Sequence, residues 1–426
     1  MVTALERYDP QICELIRQEK ARQSGSIRLI PSENYVSRAV MEASGSVLTN
    51  RYSEGYPGKR YYEGQQVTDL IETMARERAK KLFKADHANV QPYSGSVANL
   101  AAYLAVAEPG DTIMGLLLTH GGHLTHGWKN TISSKIFKSV QYTLNAKTGR
   151  FDMDQIRDLA REHRPKLIVS GATAYPRQID FEAFGQIAKE VGASHISDIA
   201  HIAGLVVAGI HPSPMPYADI VSTTTHKTLR GPRGGMLLCR EELAKQVDRS
   251  VFPGLQGGPH MHTITAIAVA LAEADTPEFI AYAKQIVKNS RALAAKLLEY
   301  GFDLVSGGTD NHLILIDLRN KAVPGKKVAK ALDRARIVCN YNTIPDDPAP
   351  PFNPSGLRLG TPAITTRGMK EPQAEKIAAF IKKVVENIDN ESVIEEVGKE
   401  VLLLCSQFPV PEHFIIPAKS ASDYVQ

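Results

Sequence analysis

Short apolar segments separated by stretches of helical length mark the middle of the chain. Four such segments are DTIMGLLL (111–118), KLIVSG (166–171), SHISD (194–198) and ADIVSTTT (218–225). Strands that alternate with helices form a mostly parallel sheet whose faces are covered by those helices. The pattern therefore predicts an α/β fold, in which ligands bind at the carboxyl ends of the strands.

The length of 426 residues predicts more than one folded unit, because single hydrophobic cores stop growing at about 250–300 residues. We predict a helical N-terminal arm (1–25), a large domain (26–284) and a smaller C-terminal α+β domain (285–426) with a frayed tail at 417–426. Residues 26–66 show weak periodicity but are rich in Gly, Ser and Tyr. This composition indicates an ordered functional segment rather than a disordered one.

Charge and composition argue against several classes of protein. The formal net charge of +4 is too small to indicate a nucleic-acid-binding protein. The cysteines, Cys13, Cys239, Cys339 and Cys405, form no CxxC pair, which argues against a disulfide framework or a zinc site and fits a reducing cytosol. The sequence shows neither a signal peptide nor an apolar run long enough to span a membrane. We therefore expect a cytoplasmic protein without a metal site.

Three polar clusters lie where a predicted strand ends or a predicted helix begins. Asp198 ends SHISD, Lys227 follows IVSTTT, and Ser94, Gly95 and Ser96 precede a helical stretch. Pyridoxal phosphate needs a lysine for its Schiff base and a carboxylate beside its pyridine nitrogen. Its phosphate suits a Ser/Gly loop at a helix N-terminus. The three clusters together therefore predict a pyridoxal phosphate site.

Histidines and glycines alternate in THGGHLTHG (119–127), and a histidine there suits stacking on a flat cofactor ring. The spacing of His120, His123 and His126 also resembles a metal cluster, but no carboxylate or cysteine partner stands in a known pattern with it. Taken alone, the SGS sequence would indicate an ordinary turn, Asp198 would indicate a helix cap, and Lys227 would indicate a solvent-exposed lysine. The prediction rests on their occurrence together in one α/β domain.

Longer motifs extend the pattern over nearly the whole chain, which resembles the serine hydroxymethyltransferase family. The stretches that carry the resemblance are IPSENYVS (30–37), LTNRYSEGYPGKRYYEG (48–64), HGGHLTHG (120–127), SDIAHIAGL (197–205), TTTHKTLRGPRGG (223–235), FPGLQGGP (252–259), SGGTDNHL (306–313) and NPSGLRLGTPA (353–363). The resemblance implies the aspartate-aminotransferase-like fold type I of pyridoxal phosphate enzymes. Its large domain has a mostly parallel seven-stranded sheet flanked by helices.

The resemblance also implies roles for individual residues. The catalytic residues would be Lys227, Glu54, His226 and Tyr62. The cofactor-binding residues would be Ser94, Gly95, Ser96, His123, Thr173, Asp198, His201 and Lys227, with Gly258 from a neighbouring subunit. The amino-acid substrate would contact Ser32, Tyr52, Glu54, Tyr62 and Arg358. The folate pocket would contain Glu54, Tyr61, Leu118, Gly122, His123, Leu124 and Asn342.

The implied reaction is the reversible transfer of the hydroxymethyl group of L-serine to tetrahydrofolate, which gives glycine and 5,10-methylenetetrahydrofolate. The implied cofactor is pyridoxal 5'-phosphate, and the implied intermediates are an aldimine and a glycine quinonoid. In this family Tyr52, Glu54 and Tyr62 reach the site of a partner subunit. The resemblance therefore implies a homodimer, or a dimer of dimers, with shared active sites and with neither nucleic acid nor membrane as a partner.

The chain departs from the family pattern at Pro31, Tyr93, Val97, Pro350 and the EGQQ sequence at 63–66. Tyr93 and Val97 lie near the implied cofactor site, and Pro350 lies near the implied folate loop. These departures leave open a relative that uses another acceptor, such as a folate-independent threonine aldolase or transaldolase, or a 2-methylserine hydroxymethyltransferase.

A non-catalytic RNA-binding or scaffold protein is an alternative of another class. Such a protein would be free to lose Lys227, Asp198 or Arg358, and all three are present. The sequence therefore favours an enzyme.

Overall fold

The computed structural model describes residues 3–411, and its elements are numbered here in chain order. The strands of this part are β1 (Ile27–Arg28), β2 (Gly55–Tyr56), β3 (Lys59–Arg60), β4 (His87–Asn89), β5 (Thr112–Leu116), β6 (Lys138–Tyr142), β7 (Leu167–Ser170), β8 (Ser194–Asp198), β9 (Ile220–Thr224), β10 (Gly235–Cys239), β11 (Asp303–Leu304), β12 (Leu313–Asp317), β13 (Ile337–Val338), β14 (Asn340–Asn342) and β15 (Gly356–Gly360). The predicted frayed tail, residues 417–426, lies outside the described residues.

The α-helices of the same part alternate with these strands. They are α1 (Ala4–Tyr8), α2 (Pro10–Ser24), α3 (Arg38–Ser44), α4 (Gln66–Phe83), α5 (Gly95–Val106), α6 (Ile132–Ile136), α7 (Met153–His163), α8 (Phe181–Val191), α9 (Ala203–Val207), α10 (Ala244–Arg249), α11 (Met261–Ala274), α12 (Pro277–Glu299), α13 (Gly325–Arg334), α14 (Pro362–Thr366), α15 (Glu371–Glu386) and α16 (Glu391–Gln407). Between residues 3 and 411, no helix combines the length and the apolar character that crossing a bilayer requires.

Seven strands form the central sheet in the order β4-β10-β9-β8-β7-β5-β6. Only the two pairs that involve β10 are antiparallel, and the others are parallel. Both β7 and β9 are buried along their whole length, as expected for strands with helices on both faces. The predicted α/β fold with a mostly parallel seven-stranded sheet is confirmed.

Parallel pairing brings the carboxyl ends of β7, β8 and β9 to one edge of the sheet. At that edge β8 ends at Asp198, and β9 ends at Thr224, three residues before Lys227. Helix α5 begins beside the same edge, since a Cβ atom on Gly95 would lie 2.6 Å from Cγ2 of Thr224. The three polar clusters of the sequence therefore meet at one edge of the sheet.

A second hydrophobic core surrounds a four-stranded antiparallel sheet in the order β11-β12-β15-β14. Helices α13, α15 and α16 supply much of this core, which also contains Ile27 and Leu29 from the N-terminal part of the chain. Strand β1 pairs in parallel with β13. The guanidinium of Arg367 donates to the backbone carbonyls of Ser24, Ser26, Cys405 and Phe408. The residues after α2 therefore pack with the C-terminal core, while the domain boundaries themselves stay a prediction.

The irregular segment before α4 is held by contacts within its own chain. The guanidinium of Arg60 binds Asp69 at 2.8 Å and Glu72 at 2.7 Å, and it also donates to the carbonyls of Ser53 and Gly55. Glu72 is fully buried and receives a further hydrogen bond from Gln91. Arg60 therefore fastens residues 53–60 to α4 without any second chain.

We expect Arg60→Met to lower the free energy of unfolding by about 3–5 kcal/mol, because Glu72 would be left buried without its cation. Urea denaturation measures the effect. Lys80→Met is the matched control, since Lys80 pairs with Glu77 at the surface and such pairs contribute about 0–1 kcal/mol. Adding Glu72→Met to Arg60→Met should recover most of the loss. Equal losses in Arg60→Met and Lys80→Met would contradict this account of the segment.

Candidate active site

Lys227 lies at the carboxyl edge of the sheet with its amine turned inward. The Nζ atom donates to Oγ1 of Thr224 at 3.0 Å. Burial lowers the pKa of this amine to about 8; the Asp198 carboxylate opposes that shift, and Arg233 and Arg358 add to it. A substantial fraction of Lys227 is therefore neutral near physiological pH, which is the form that attacks a carbonyl.

Asp198 faces the same pocket from the end of β8. Burial by itself raises the pKa of its carboxyl, but the hydrogen bonds from His126 and Asn99 lower that pKa below its usual value. Oδ2 of Asp198 lies 3.0 Å from Nε2 of His126 and 2.8 Å from Nδ2 of Asn99. The backbone N–H of His123 donates to Nδ1 of His126, so the proton of a neutral His126 is on Nε2 and points at Asp198. Asp198 is thus held as an anion.

The Ser94–Ser96 segment forms the N-terminus of the twelve-residue helix α5. Oγ of Ser94 caps the helix by accepting the N–H of Val97 at 3.3 Å. The glycine at 95 is required because Thr224 occupies the space of a Cβ atom. Free N–H groups and the positive end of the helix dipole make such a terminus a binding site for a phosphate group.

One pocket of about 190 Å³ brings most of the predicted cofactor residues together. The predicted residues that line it are Ser32, Ser94, Gly95, Ser96, His123, Thr173, Asp198, His201, His226 and Lys227. Burial, with the nearby cations Lys227 and Arg233, lowers the pKa of His226 to about 3, so its imidazole is neutral. Burial also lowers the pKa of His123 to about 4. Neutral rings suit stacking and hydrogen bonding in a pocket that already carries cations.

Arg358 reaches the pocket region from β15 of the second sheet. Its Nη1 donates to the carbonyl of Thr173 at 2.7 Å, and its Nε lies 3.3 Å from Oδ1 of Asn340. Burial lowers the pKa of this guanidinium to about 10, and no carboxylate between residues 3 and 411 pairs with it. A buried arginine that lacks an anion suits the carboxylate of a ligand.

A second group of predicted residues lies apart from this pocket, on an open surface of the same chain. The N–H of Glu54 donates to the hydroxyl of Tyr62 at 2.9 Å, and the rings of Tyr52 and Tyr62 are 6.4 Å apart. Glu54 and Tyr61 border an open cleft. A Cβ atom on Gly258 would touch the ring of Tyr52 at 2.9 Å. None of these five residues lines the Lys227 pocket.

Besides Glu54, Tyr61 and His123, the predicted folate residues come from two parts of the chain. Leu118, Gly122 and Leu124 lie in the loop that follows β5, where the Thr173 hydroxyl binds the carbonyl of Gly122 at 3.0 Å. Asn342 lies in β14, an edge strand of the second sheet. The loop after β5 meets the loop after β14, where Nε2 of His120 lies 3.5 Å from Oδ1 of Asp346.

Three of the residues that depart from the family pattern, Pro31, Gln65 and Tyr93, make contacts with neighbouring parts of the chain. Tyr93 donates to the carbonyl of Gly258 at 2.7 Å and stacks on His260 with ring centroids 4.3 Å apart. Gln65 accepts from the hydroxyl of Ser53 and donates to the carbonyl of Tyr52. Pro31 packs against the backbone of Gly360. Tyr93 therefore joins the phosphate-cradle loop to the loop that carries Gly258.

Sequence reasoning missed several residues that shape the pocket. Asn99, Thr224 and Arg233 line it, and His126 holds Asp198. Three of the four lay inside quoted motifs, HGGHLTHG and TTTHKTLRGPRGG, but their contacts depend on how the chain folds. Asn99 follows Gly95 by four residues, and residues at this spacing lie on the same face of a helix. This spacing is the signal in the sequence that would have identified Asn99.

Comparisons with known proteins point to one family. The family model described as serine hydroxymethyltransferase matches residues 5–381. A curated relative named serine hydroxymethyltransferase, from Sorangium cellulosum (strain So ce56), is 61% identical over 96% of this chain and 96% of its own length. A relative of the same name from Acidothermus cellulolyticus (strain ATCC 43068 / DSM 8971 / 11B) is also 61% identical, over 96% of this chain and 97% of its own length. A relative of the same name from Desulfotalea psychrophila (strain LSv54 / DSM 12343) is 57% identical over 96% of both chains.

In the cofactor-free chain, we expect Lys227 to react with formaldehyde and a reductant with a midpoint near pH 8, because burial disfavours its charged form. Asp198→Asn should lower that midpoint, since the carboxylate stabilises the ammonium. Peptide mass spectrometry across a pH series measures the extent of modification, with the exposed Lys147 as an internal reference. The same midpoint for Lys227 and Lys147 would show that the pocket does not perturb this amine.

Proposed function

Because the chain belongs to the serine hydroxymethyltransferase family, we infer that its Lys227 pocket is where serine and glycine are interconverted with tetrahydrofolate. The chain is a transferase, and the family depends on pyridoxal phosphate with folate as a substrate. The aldolase, 2-methylserine and non-catalytic alternatives are not favoured by relatives 57–61% identical that all have this one name.

The observation that carries the proposal is the meeting of Lys227, Asp198 and the N-terminus of α5 in one pocket. Pyridoxal phosphate fits these groups: Lys227 would hold its aldehyde carbon, Asp198 its pyridine nitrogen, and Ser94, Gly95 and Ser96 its phosphate. When bound, the cofactor supplies an electron sink for the bond broken at the substrate Cα atom.

Around that ring we assign the remaining pocket residues to orientation. His123 would stack on the ring, and His201 and Thr173 would bind the phenolic oxygen. His226, kept neutral beside Lys227, adds no charge next to the amine. These roles are the ones that the family resemblance implies, and all four residues line the pocket.

We assign the substrate carboxylate to Arg358, with Ser32 beside it. The fork of N–H donors in arginine matches a carboxylate in two parallel hydrogen bonds, which fixes the orientation of the amino acid. Since Arg358 is buried without a carboxylate partner among residues 3–411, binding the substrate supplies the anion that the folded chain leaves out.

Glu54 is the group to which we assign the proton of the serine hydroxyl. As the Cα–Cβ bond breaks, the hydroxyl proton moves to the Glu54 carboxylate and the hydroxymethyl carbon leaves as a one-carbon unit for tetrahydrofolate. Tyr62 holds the backbone of Glu54 through its hydroxyl. Leu118, Gly122, Leu124, Asn342 and Tyr61 are the residues proposed to bind folate.

We propose that each site is completed by a second copy of the chain in a homodimer or a dimer of dimers. Tyr52 and Tyr61 are 60% and 71% exposed, although large aromatic side chains are usually covered. Tyr52, Glu54, Tyr62 and Gly258 are near one another but do not line the Lys227 pocket of their own chain. A two-fold interface would cover this surface and bring it to the partner's pocket.

The compartment that we propose is the cytoplasm. The four cysteine thiols are unpaired, and Cys13, Cys239 and Cys405 are buried, as in proteins of a reducing environment.

The direct test of the function is an assay of glycine and 5,10-methylenetetrahydrofolate formed from serine and tetrahydrofolate in the presence of pyridoxal phosphate. We expect turnover by the wild type and none by Lys227→Ala, because the amine that binds the cofactor is gone. Lys147→Ala is the control, since Lys147 is exposed and distant from the pocket residues in sequence. Serine cleavage at the same rate without tetrahydrofolate would instead favour the folate-independent alternative.

A hybrid experiment tests the shared site. A chain with Glu54→Gln and Tyr62→Phe and a chain with Lys227→Gln should each be inactive alone. Mixed dimers should regain up to about half of the wild-type activity, because one of their two sites then contains no substitution. Wild-type chains taken through the same exchange control for losses in handling. Inactive hybrids of verified mass would show that each site is built from one chain.

A further inference from the structure

A small cavity lies behind the Lys227 pocket. Its volume is about 10 Å³, and the residues that line it include Tyr175, Arg177, His201, Asn311 and His312. His312 is only 1% exposed, and its Nδ1 atom is buried with no hydrogen-bond partner among the described residues. An unpaired buried nitrogen of this kind costs free energy unless a water molecule satisfies it.

The other ring nitrogen of His312 contacts His201, which lines the Lys227 pocket itself. Nε2 of His312 lies 3.3 Å from Nδ1 of His201, and the two ring planes are inclined by 25° with their centroids 5.5 Å apart. Burial lowers the pKa of both imidazoles, and the cations Lys227 and Arg358 lower that of His201 further. Both rings are therefore neutral, so one of the two facing nitrogens donates and the other accepts.

The direction of this hydrogen bond follows from what faces the other side of His201. The proposed function puts the phenolic oxygen of the cofactor near His201 and Thr173. The hydroxyl of Thr173 already donates to the carbonyls of Gly121 and Gly122. The donor available to an anionic oxygen there is thus Nε2–H of His201, which leaves Nδ1 of His201 as an acceptor.

We propose that His312 is a positioning residue: its Nε2–H donates to Nδ1 of His201 and so fixes the His201 proton on Nε2, facing the pocket, while one water molecule in the cavity donates to Nδ1 of His312. This inference rests on the proposed function for the identity of the group that His201 binds. The cavity volume matches a single water. Asn311 and Arg177, two further polar residues, line the same cavity.

Two substitutions separate the donor from the shape of the ring. The amide nitrogen of His312→Gln reaches about as far as imidazole Nε2 and still donates to His201, whereas His312→Phe keeps a ring without a donor. We expect His312→Phe to lower kcat about tenfold with little change in the KM for serine. It should also shift the pH midpoint of the visible absorbance of the lysine-bound cofactor. His312→Gln should stay within about twofold of the wild-type kcat. Wild-type behaviour of His312→Phe, or equal losses in both variants, would overturn the proposal.

A neutron diffraction map of the wild-type holoenzyme tests the same point without any substitution. We expect deuterium on Nε2 of both His201 and His312, and one water within hydrogen-bond distance of Nδ1 of His312. Deuterium on Nδ1 of His201, or an empty cavity, would overturn the proposal even in a fully active enzyme. A wild-type chain that binds no pyridoxal phosphate and forms no glycine would instead contradict the proposed function.

Discussion

The side chain of Asn99 joins three elements at the point where the active site is built. From α5 its Nδ2 donates to Asp198 at the end of β8, and its Oδ1 accepts from Ser222 in β9. The parallel register puts Asp198 directly beside Ser222, so the two strands present their polar groups to one amide. Asn99 is 1% exposed, and loss of one of its bonds would leave a buried polar group unpaired. Asn99 therefore ties α5 to the ends of β8 and β9 beside the Lys227 pocket.

The pocket holds more positive than negative charge before any ligand binds. Lys227 and Arg233 line the pocket with one buried carboxylate, Asp198, and the Arg358 guanidinium donates to the carbonyl of Thr173 at its wall. Burial lowers the pKa of Lys227 and of Arg358. In the proposed function, a phosphorylated cofactor and an amino-acid carboxylate would supply the missing negative charge. Burial, with a smaller contribution from the charge of Lys227, lowers the pKa of His123, His201 and His226, so these rings add no further positive charge.

Two loops connect the pocket to the surface that carries the exposed residues Tyr52 and Tyr61. Tyr93, next to the phosphate cradle, holds the carbonyl of Gly258, and Gly258 packs against Tyr52. Arg60 fixes the tyrosine-rich segment to α4 from the other side. The contacts of Arg60 therefore anchor this segment within its own chain. In the proposed dimer the partner covers a surface that is already formed.

The sequence by itself determined the strand and helix pattern and the residue types at the strand ends. Alternation of apolar segments with helical stretches predicted the sheet, and Lys227, Asp198 and Ser94–Ser96 were found because their chemistry is local to short motifs. Only the tertiary structure decided that His126, and not His120, contacts Asp198. The same is true of the contact between His312 and His201, and of Glu54, which does not line the Lys227 pocket of its own chain. His126 contacts Asp198 across 72 positions of sequence, and His201 contacts His312 across 111 positions. Glu54 lies 173 positions before Lys227 and does not line its pocket. Strand register and loop paths set such distances, and no local pattern of side chains encodes them.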